Sequence, residues 1–211
     1  MTTRFSNLST ATLALLLLAS CGPKSLTLPD DPVERVATCG AVAAASERAA
    51  TTNIKAPLSF GAIGRVIHYP LLGGSAGGSF SSETAAAVQE RMTALQDKVV
   101  ESKWQELVPV CKSAFPATAI EKPVLPSNRF QAQLGCSELG DFLRSALEGQ
   151  EGYANELGDY RDLGMKLEPA LAAELPRSDA AAKEERNKAL ATIAKAGPPV
   201  AVMRQCVDDF G

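Results

Sequence analysis

One stretch of this chain has the spacing of a catalytic motif: Gly73-Gly74-Ser75-Ala76-Gly77 matches the G-x-S-x-G nucleophile elbow. That elbow holds a serine on a strained strand-to-helix turn, where a histidine within reach takes its proton. The sole histidine, His68, lies a few residues upstream, which is not the α/β-hydrolase order. No supply of parallel strands surrounds the motif to build the sheet it needs. The glycine-rich segment Gly73, Gly74, Gly77 and Gly78 is therefore expected to be a flexible connection, and Ser75 is not expected to be a nucleophile. As a phosphate cradle the same segment fails, since Ser79 stands where a P-loop requires lysine.

Other chemistry is equally thin. Glu156, Asp159, Asp162 and Glu168 alternate with basic residues along one helical segment, which reads as a solvated face laced with ion pairs rather than a metal site. The chain lacks cysteines at C-x₂-C spacing and the C-x-x-C-H of covalent haem attachment, so neither a metal nor any other cofactor is expected. His68 beside Tyr69 is expected at a partly buried polar edge of the core. The pair is also the candidate ligand contact of any pocket, being next to the glycine-rich segment and carrying the only imidazole.

The N-terminus is more specific. Residues 1–20 carry one basic residue, Arg4, and no acid, and an apolar run from Leu13 to Leu18 leads into Leu18-Ala19-Ser20-Cys21. The apolar part is too short to span a bilayer, and small residues occupy the cleavage point. These residues resemble the signal peptide and lipobox of bacterial lipoprotein precursors. The resemblance is confined to residues 1–21. It implies that Cys21 becomes the mature N-terminus and carries diacylglycerol and palmitate-type acyl chains. Two or more such chains hold a protein firmly where one does not. In lipoproteins generally an Asp after the lipidated cysteine favours the inner membrane; Gly22 stands there, which implies an outer-membrane destination facing the periplasm.

Composition narrows the rest. Removal of residues 1–20 leaves 20 basic against 24 acidic residues, a formal charge near −4 with no basic cluster. Nucleic-acid binding depends on clustered Lys and Arg against phosphates and is not expected. Low aromatic and high alanine content favours closely packed helices over a β-sandwich. The four cysteines after Cys21 are Cys39, Cys111, Cys136 and Cys206, an even number that reads as two disulfides in an exported chain. The expected pairing is Cys111 with Cys136, which bracket a proline-rich connection, and Cys39 with Cys206, tying the first helix to the last.

Residues 21–30 form the lipidated cysteine and a short tether, and residues 31–211 a single domain. The last nine tether residues reach roughly 30 Å when fully extended. Asp31-Pro32-Val33-Glu34 starts the first helix as a capping box with Pro at the first position. Leu58 to Tyr69 fits a glycine-weakened helix or a strand, ended by Pro70. Ser81 or Ser82 caps a long helix whose stripe runs Val88, Met92, Leu95, Val99, Trp104 and Cys111 to Phe115, kinked at Pro109. Further helices bury Leu134, Leu139, Leu143 and Leu147, then Tyr160, Leu167 and Leu171. An alanine-rich helix over 179–196 is anchored by Leu190 and Ile193, and a final short one carries Val202, Met203 and Cys206. The expectation is an all-α, doubly disulfide-stapled bundle of five or six helices. Its expected role is a non-enzymatic lipoprotein that binds an envelope protein or another envelope component. The alternative is a small-molecule carrier or sensor with a cavity between helices.

Overall fold

Asp31 accepts a hydrogen bond from the Glu34 backbone N–H at 2.9 Å and Pro32 fills the first turn, so the first helix begins where the sequence places it. The computed structural model describes residues 25–53 and 55–211; Cys21, with the rest of the lipobox, lies outside the described residues. Eight α-helices and no strand occur among the described residues: α1 Pro32–Ala49, α2 Phe60–Gly74, α3 Ser82–Val100, α4 Val108–Ala114, α5 Arg129–Ala146, α6 Ala154–Glu174, α7 Asp179–Ile193 and α8 Pro199–Phe210. The all-α, disulfide-stapled bundle expected from the sequence is the observed fold. None of these helices is long and apolar enough to cross a membrane.

The bundle has two halves and a shared helix. Val36, Val42, Val88, Met92, Val99 and Leu107 form one core, built from α1, α3 and the turn before α4. Leu134, Leu139, Leu143, Leu171, Ile193 and Met203 form the other, built from α5 to α8. Between them runs α2, apolar nearly all round, as a helix buried on several sides must be. Ala62, Val66 and Tyr69, at spacings of four and three, belong to the first core. Ile67 and Leu71 lie on another side of the helix and belong to the second.

Each half carries its own disulfide. Cys39 bonds Cys111, joining α1 to α4, and Cys136 bonds Cys206, joining α5 to α8. This corrects the expected pairing of Cys111 with Cys136 and Cys39 with Cys206. The proline-rich stretch 116–126 connects the halves instead of being closed into a loop by its flanking cysteines.

Other expectations change for local reasons. Pro70 sits inside α2 rather than ending it, because Leu71 beyond it is fully buried in the second core and holds the last turn in place. Gly73 and Gly74 are helical, not a flexible connection. A Cβ on Gly73 would stand 2.8 Å from Val88 of α3, and one on Gly74 would stand 2.9 Å from the Ser81 carbonyl oxygen. These glycines serve close approach. The long helix expected over 81–115 is two helices, α3 and α4, separated by a turn, with Pro109 in the first turn of α4, where its missing N–H costs nothing. Glu34 pairs with Arg91 of α3 rather than closing a capping box. Asn128 caps α5 by accepting from Gln131 N at 2.9 Å.

The tether is partly docked. Leu26 and Leu28 pack against the first core, and Arg35 Nε donates to the Pro29 carbonyl at 2.9 Å, so the described end of the tether lies along the domain. On the other side, α7 is anchored by Ala189, Leu190, Ala191 and Ile193 at its C-terminal end. Its N-terminal part is held by polar links alone, among them Arg186 to Glu138 and Gln131 to Glu185.

Candidate functional site

On α2, Ile63 and Ile67, which also pack into the cores, join Pro70 as the floor of an open cleft of about 650 Å³. Its walls are α3, through Ala85, Ala86 and Gln89, and α5, through Glu138, Asp141, Phe142 and Ser145. Lys183, Asn187 and Leu190 of α7 close a third side. The opening exists because α3 packs on α1 and α2, whereas α5 packs on α6, α7 and α8, so the two helices are held apart by the halves they belong to.

The segment between α2 and α3 completes the wall. Phe80 N–H donates to the Asn187 carbonyl at 3.0 Å, and Ser81 N–H donates to the Gly74 carbonyl at 2.9 Å. Ser79 Oγ reaches Glu184 at 3.2 Å. These bonds turn the Phe80 ring onto Phe142, with centroids 5.7 Å apart and planes at 80°. That edge-to-face arrangement suits the ring quadrupoles and spans the cleft between the halves.

The acidic side is asymmetric. Arg186 Nη1 lies 2.6 Å from Glu138 Oε1, while its Nη2 lies 3.7 Å from Glu168. Burial pushes the Glu138 carboxyl above its ordinary range; the Arg186 hydrogen bond and charge oppose that shift, and the nearby charges of Asp141 and Glu168 add to it. Asp141 is exposed and paired with Arg144 at 2.8 Å. Lys183 of α7, which also lines the cleft, has no ion-pair partner among the described residues.

The candidate residues read from the sequence lie elsewhere. His68 is fully buried, its Nε2 2.8 Å from the Ala194 carbonyl oxygen and its Nδ1 without a partner. Burial lowers its pKa to about 4, so the ring is neutral and Nε2 carries the hydrogen. Tyr69 packs its ring edge against Phe115 at 5.7 Å and borders a small recess with Arg65 and Thr118. Neither side chain lines the cleft, and the two point to different parts of the bundle. Ser75 is buried, and its hydroxyl donates to the Leu71 carbonyl at 2.7 Å; no hydrogen bond joins it to His68. Of the carboxylates on α6, Asp162 pairs with Arg161 and Glu168 faces Arg186. Among the described residues no group of three or more His, Cys, Asp or Glu side chains could hold a metal ion.

No protein-family model, curated protein or solved structure matches this chain. Its site is read from its own chemistry. A volume near 650 Å³ lies within the roughly 300–1,000 Å³ of small-molecule sites, and an apolar floor with a few polar groups at the rim is their usual construction. The sequence hid this because most cleft residues come from four helices, each contributing three to five positions that look like ordinary helix surface. The one local signal is on α5, where Glu138, Asp141 and Ser145 recur at three and four with the large apolar Phe142 among them.

Proposed function

We propose that this chain is a lipid-anchored, non-enzymatic binding module of the bacterial envelope, held at the outer membrane through Cys21 and facing the periplasm. It takes an envelope component into the cleft between its two halves. The observation that carries the reading is the cleft, an open concave space with an apolar floor and a polar rim, walled mainly by helices.

Three further features support it. The lipobox-like Leu18-Ala19-Ser20-Cys21 supplies an address and an anchor. The docking of Leu26 and Leu28 keeps the domain near its point of attachment. The buried, locally hydrogen-bonded Ser75 and the interior His68 argue against hydrolysis. A broad protein-docking face has less behind it: the exposed large apolar residues Val100, Val110, Val124 and Met165 are spread over four segments.

The test compares native protein with Ala86→Trp, an exposed wall position where indole fills the cleft without entering either core. Both are purified from cells, extracted with solvent and examined by mass spectrometry. A species retained by the native protein and missing from the variant supports the module. Identical extracts, together with a protein crosslinked equally to both forms, would move the interaction to an outer face. In parallel, Cys21→Ala is expected to shift the protein out of the membrane fraction; a variant still in that fraction overturns the anchor.

A further inference from the structure

We propose that the cleft takes a single-chain amphiphile with an anionic, carboxylate-type head, its head meeting Lys183 and Asn187 and its chain lying over Leu190, Ile67 and Phe142. The proposal rests on the reading of the cleft as the binding site and adds the chemical class of what enters it.

The charges of the lining set the sign of the head. Three ionisable side chains line the cleft, Glu138, Asp141 and Lys183. Both carboxylates are already neutralised, Glu138 by Arg186 at 2.6 Å and Asp141 by Arg144 at 2.8 Å. Glu168, which reaches Arg186 at 3.7 Å, is exposed on α6 and outside the lining. Lys183 is in neither pair. The acids beside it on α7 are engaged elsewhere, Glu184 with Lys188 at 3.5 Å and with Ser79 at 3.2 Å, and Glu185 with Gln131. Asp179, one turn earlier, makes no ion pair with it. The uncompensated charge of the cleft is therefore positive.

Hydrogen bonding points the same way. An ammonium offers three donors and no acceptor. A carboxylate head takes those donors and balances the charge. A hydroxyl head accepts a bond but brings no charge, and an ammonium head is repelled. The Asn187 amide, one turn along α7 and also in the lining, supplies a further N–H donor for the second carboxylate oxygen.

The same face of α7 sets the tail. Lys183, Asn187 and Leu190 follow at four and three, and they pass from exposed through half-buried to buried. One side of the cleft thus runs from a charge in solvent to an apolar end beside the core. Seven residues at 1.5 Å per residue cover about 10 Å, the reach of an alkyl chain of roughly eight carbons. Ile67 and Phe142 carry the apolar surface across to α2 and α5.

Octanoate, 1-octanol and octylammonium share one tail and differ only in the head. Each is titrated calorimetrically at low ionic strength into the full chain reconstituted in phosphatidylcholine vesicles, with vesicles bearing Ala86→Trp as the partition background. The expected result is saturable octanoate binding, absent from Ala86→Trp, with octanol about five-fold weaker, the scale of one ion pair to an exposed lysine, and octylammonium weaker still. Lys183→Gln, at an exposed position without an ion pair, is expected to bring octanoate down to the affinity of octanol and leave octanol unchanged. Lys183→Glu is expected to reverse the order, so that octylammonium binds best. Lys195→Gln removes an exposed charge just past α7 and outside the lining, and is expected to change nothing. Octanol or octylammonium binding as tightly as octanoate, in an Ala86→Trp-sensitive way, overturns the anionic head and leaves the cleft standing. So does octanoate affinity untouched by Lys183→Gln, or lowered equally by Lys195→Gln. If none of the three probes shows binding that Ala86→Trp removes, the reading of the cleft as a binding site falls as well.

Discussion

His68 Nε2 donates to the Ala194 carbonyl oxygen across 2.8 Å, joining the middle of α2 to the end of α7 over 126 residues of sequence. The bond satisfies one ring nitrogen and leaves Nδ1 buried without a partner. A proton on Nδ1 would place a full charge in the interior with nothing to receive it, which is why burial holds the pKa at about 4 against an ordinary 6.5.

The pH dependence of stability follows from that difference. Between pH 6.5 and 4 the unfolded chain protonates its histidine while the folded chain does not, so acid favours unfolding. The contribution is complete above about pH 6.5 and is lost progressively as pH falls toward 4, amounting to about 3 kcal/mol in all. Glu138 works in the opposite sense: its raised folded pKa makes its contribution fullest below its ordinary value and lost as pH rises. Urea unfolding of the native chain at pH 7.5, 5.5 and 4.0 should show the loss. His68→Gln should be weaker at neutral pH yet flatter over the same range, and equal slopes for the two proteins would contradict the assignment.

The two disulfides each close a loop within one half, with sequence separations of 72 and 70 residues. For loops of this size the restriction of the unfolded chain contributes about 4 kcal/mol. Because each bond staples a separate core, loss of Cys136 and Cys206 together should loosen α5 to α8 first, leaving amides of α1 and α3 better protected. Hydrogen exchange on the Cys136→Ala, Cys206→Ala protein checks this. An unreduced peptide map of the native protein should contain Cys39–Cys111 and Cys136–Cys206 peptides and no Cys111–Cys136 peptide.

The parts of the fold legible in the sequence are those where one helix shows one buried stripe. Val88, Met92, Leu95 and Val99 repeat at three and four, and all four are buried on α3. On α5 and its cap, Leu139, Leu143 and Leu147 repeat at four and are buried, as is Leu134 five residues before them. Where a helix is buried on more than one side, as α2 is, the period disappears, and its glycines look identical whether they supply flexibility or close contact. Cysteine pairing depends on which helices share a core, and spacing along the chain carries no record of that. The cleft is harder still, since it is the gap left between two packed halves and no segment contains it. The Cys21 lipidation expectation concerns residues outside those the structure describes.

Ser75 illustrates a motif explained by packing. Its hydroxyl donates to the Leu71 carbonyl four residues back, closing the end of α2 within a buried site. Ser75→Ala leaves that carbonyl with the Ser75 backbone N–H, at 3.1 Å, as its remaining donor. A loss of about 1 kcal/mol is expected on thermal or urea unfolding. Hydrolysis of p-nitrophenyl acetate should be unchanged by the substitution, and a decrease would restore the serine as a nucleophile.

Two glycines should respond in opposite directions to the same added methyl. A Cβ on Gly64 of α2 would collide with the Val200 side chain of α8, whose branched Cβ stands 3.2 Å away and whose backbone N stands at 3.8 Å, so relief requires a helix to move. Overpacking of this kind costs about 1–3 kcal/mol. A Cβ on Gly158 of α6 meets nothing within 4 Å, so the close helix contact that a mid-helix glycine can permit is absent there. Gly158→Ala should therefore raise stability by about 0.5–1 kcal/mol through the helix propensity of alanine and the smaller entropy of the unfolded chain. Thermal melts of the two variants beside the native protein separate the cases. A neutral Gly64→Ala would mean that α2 and α8 can slide apart at little cost, and His68 would then lose its hold on Ala194, because both contacts join α2 to the segment around the α7–α8 junction.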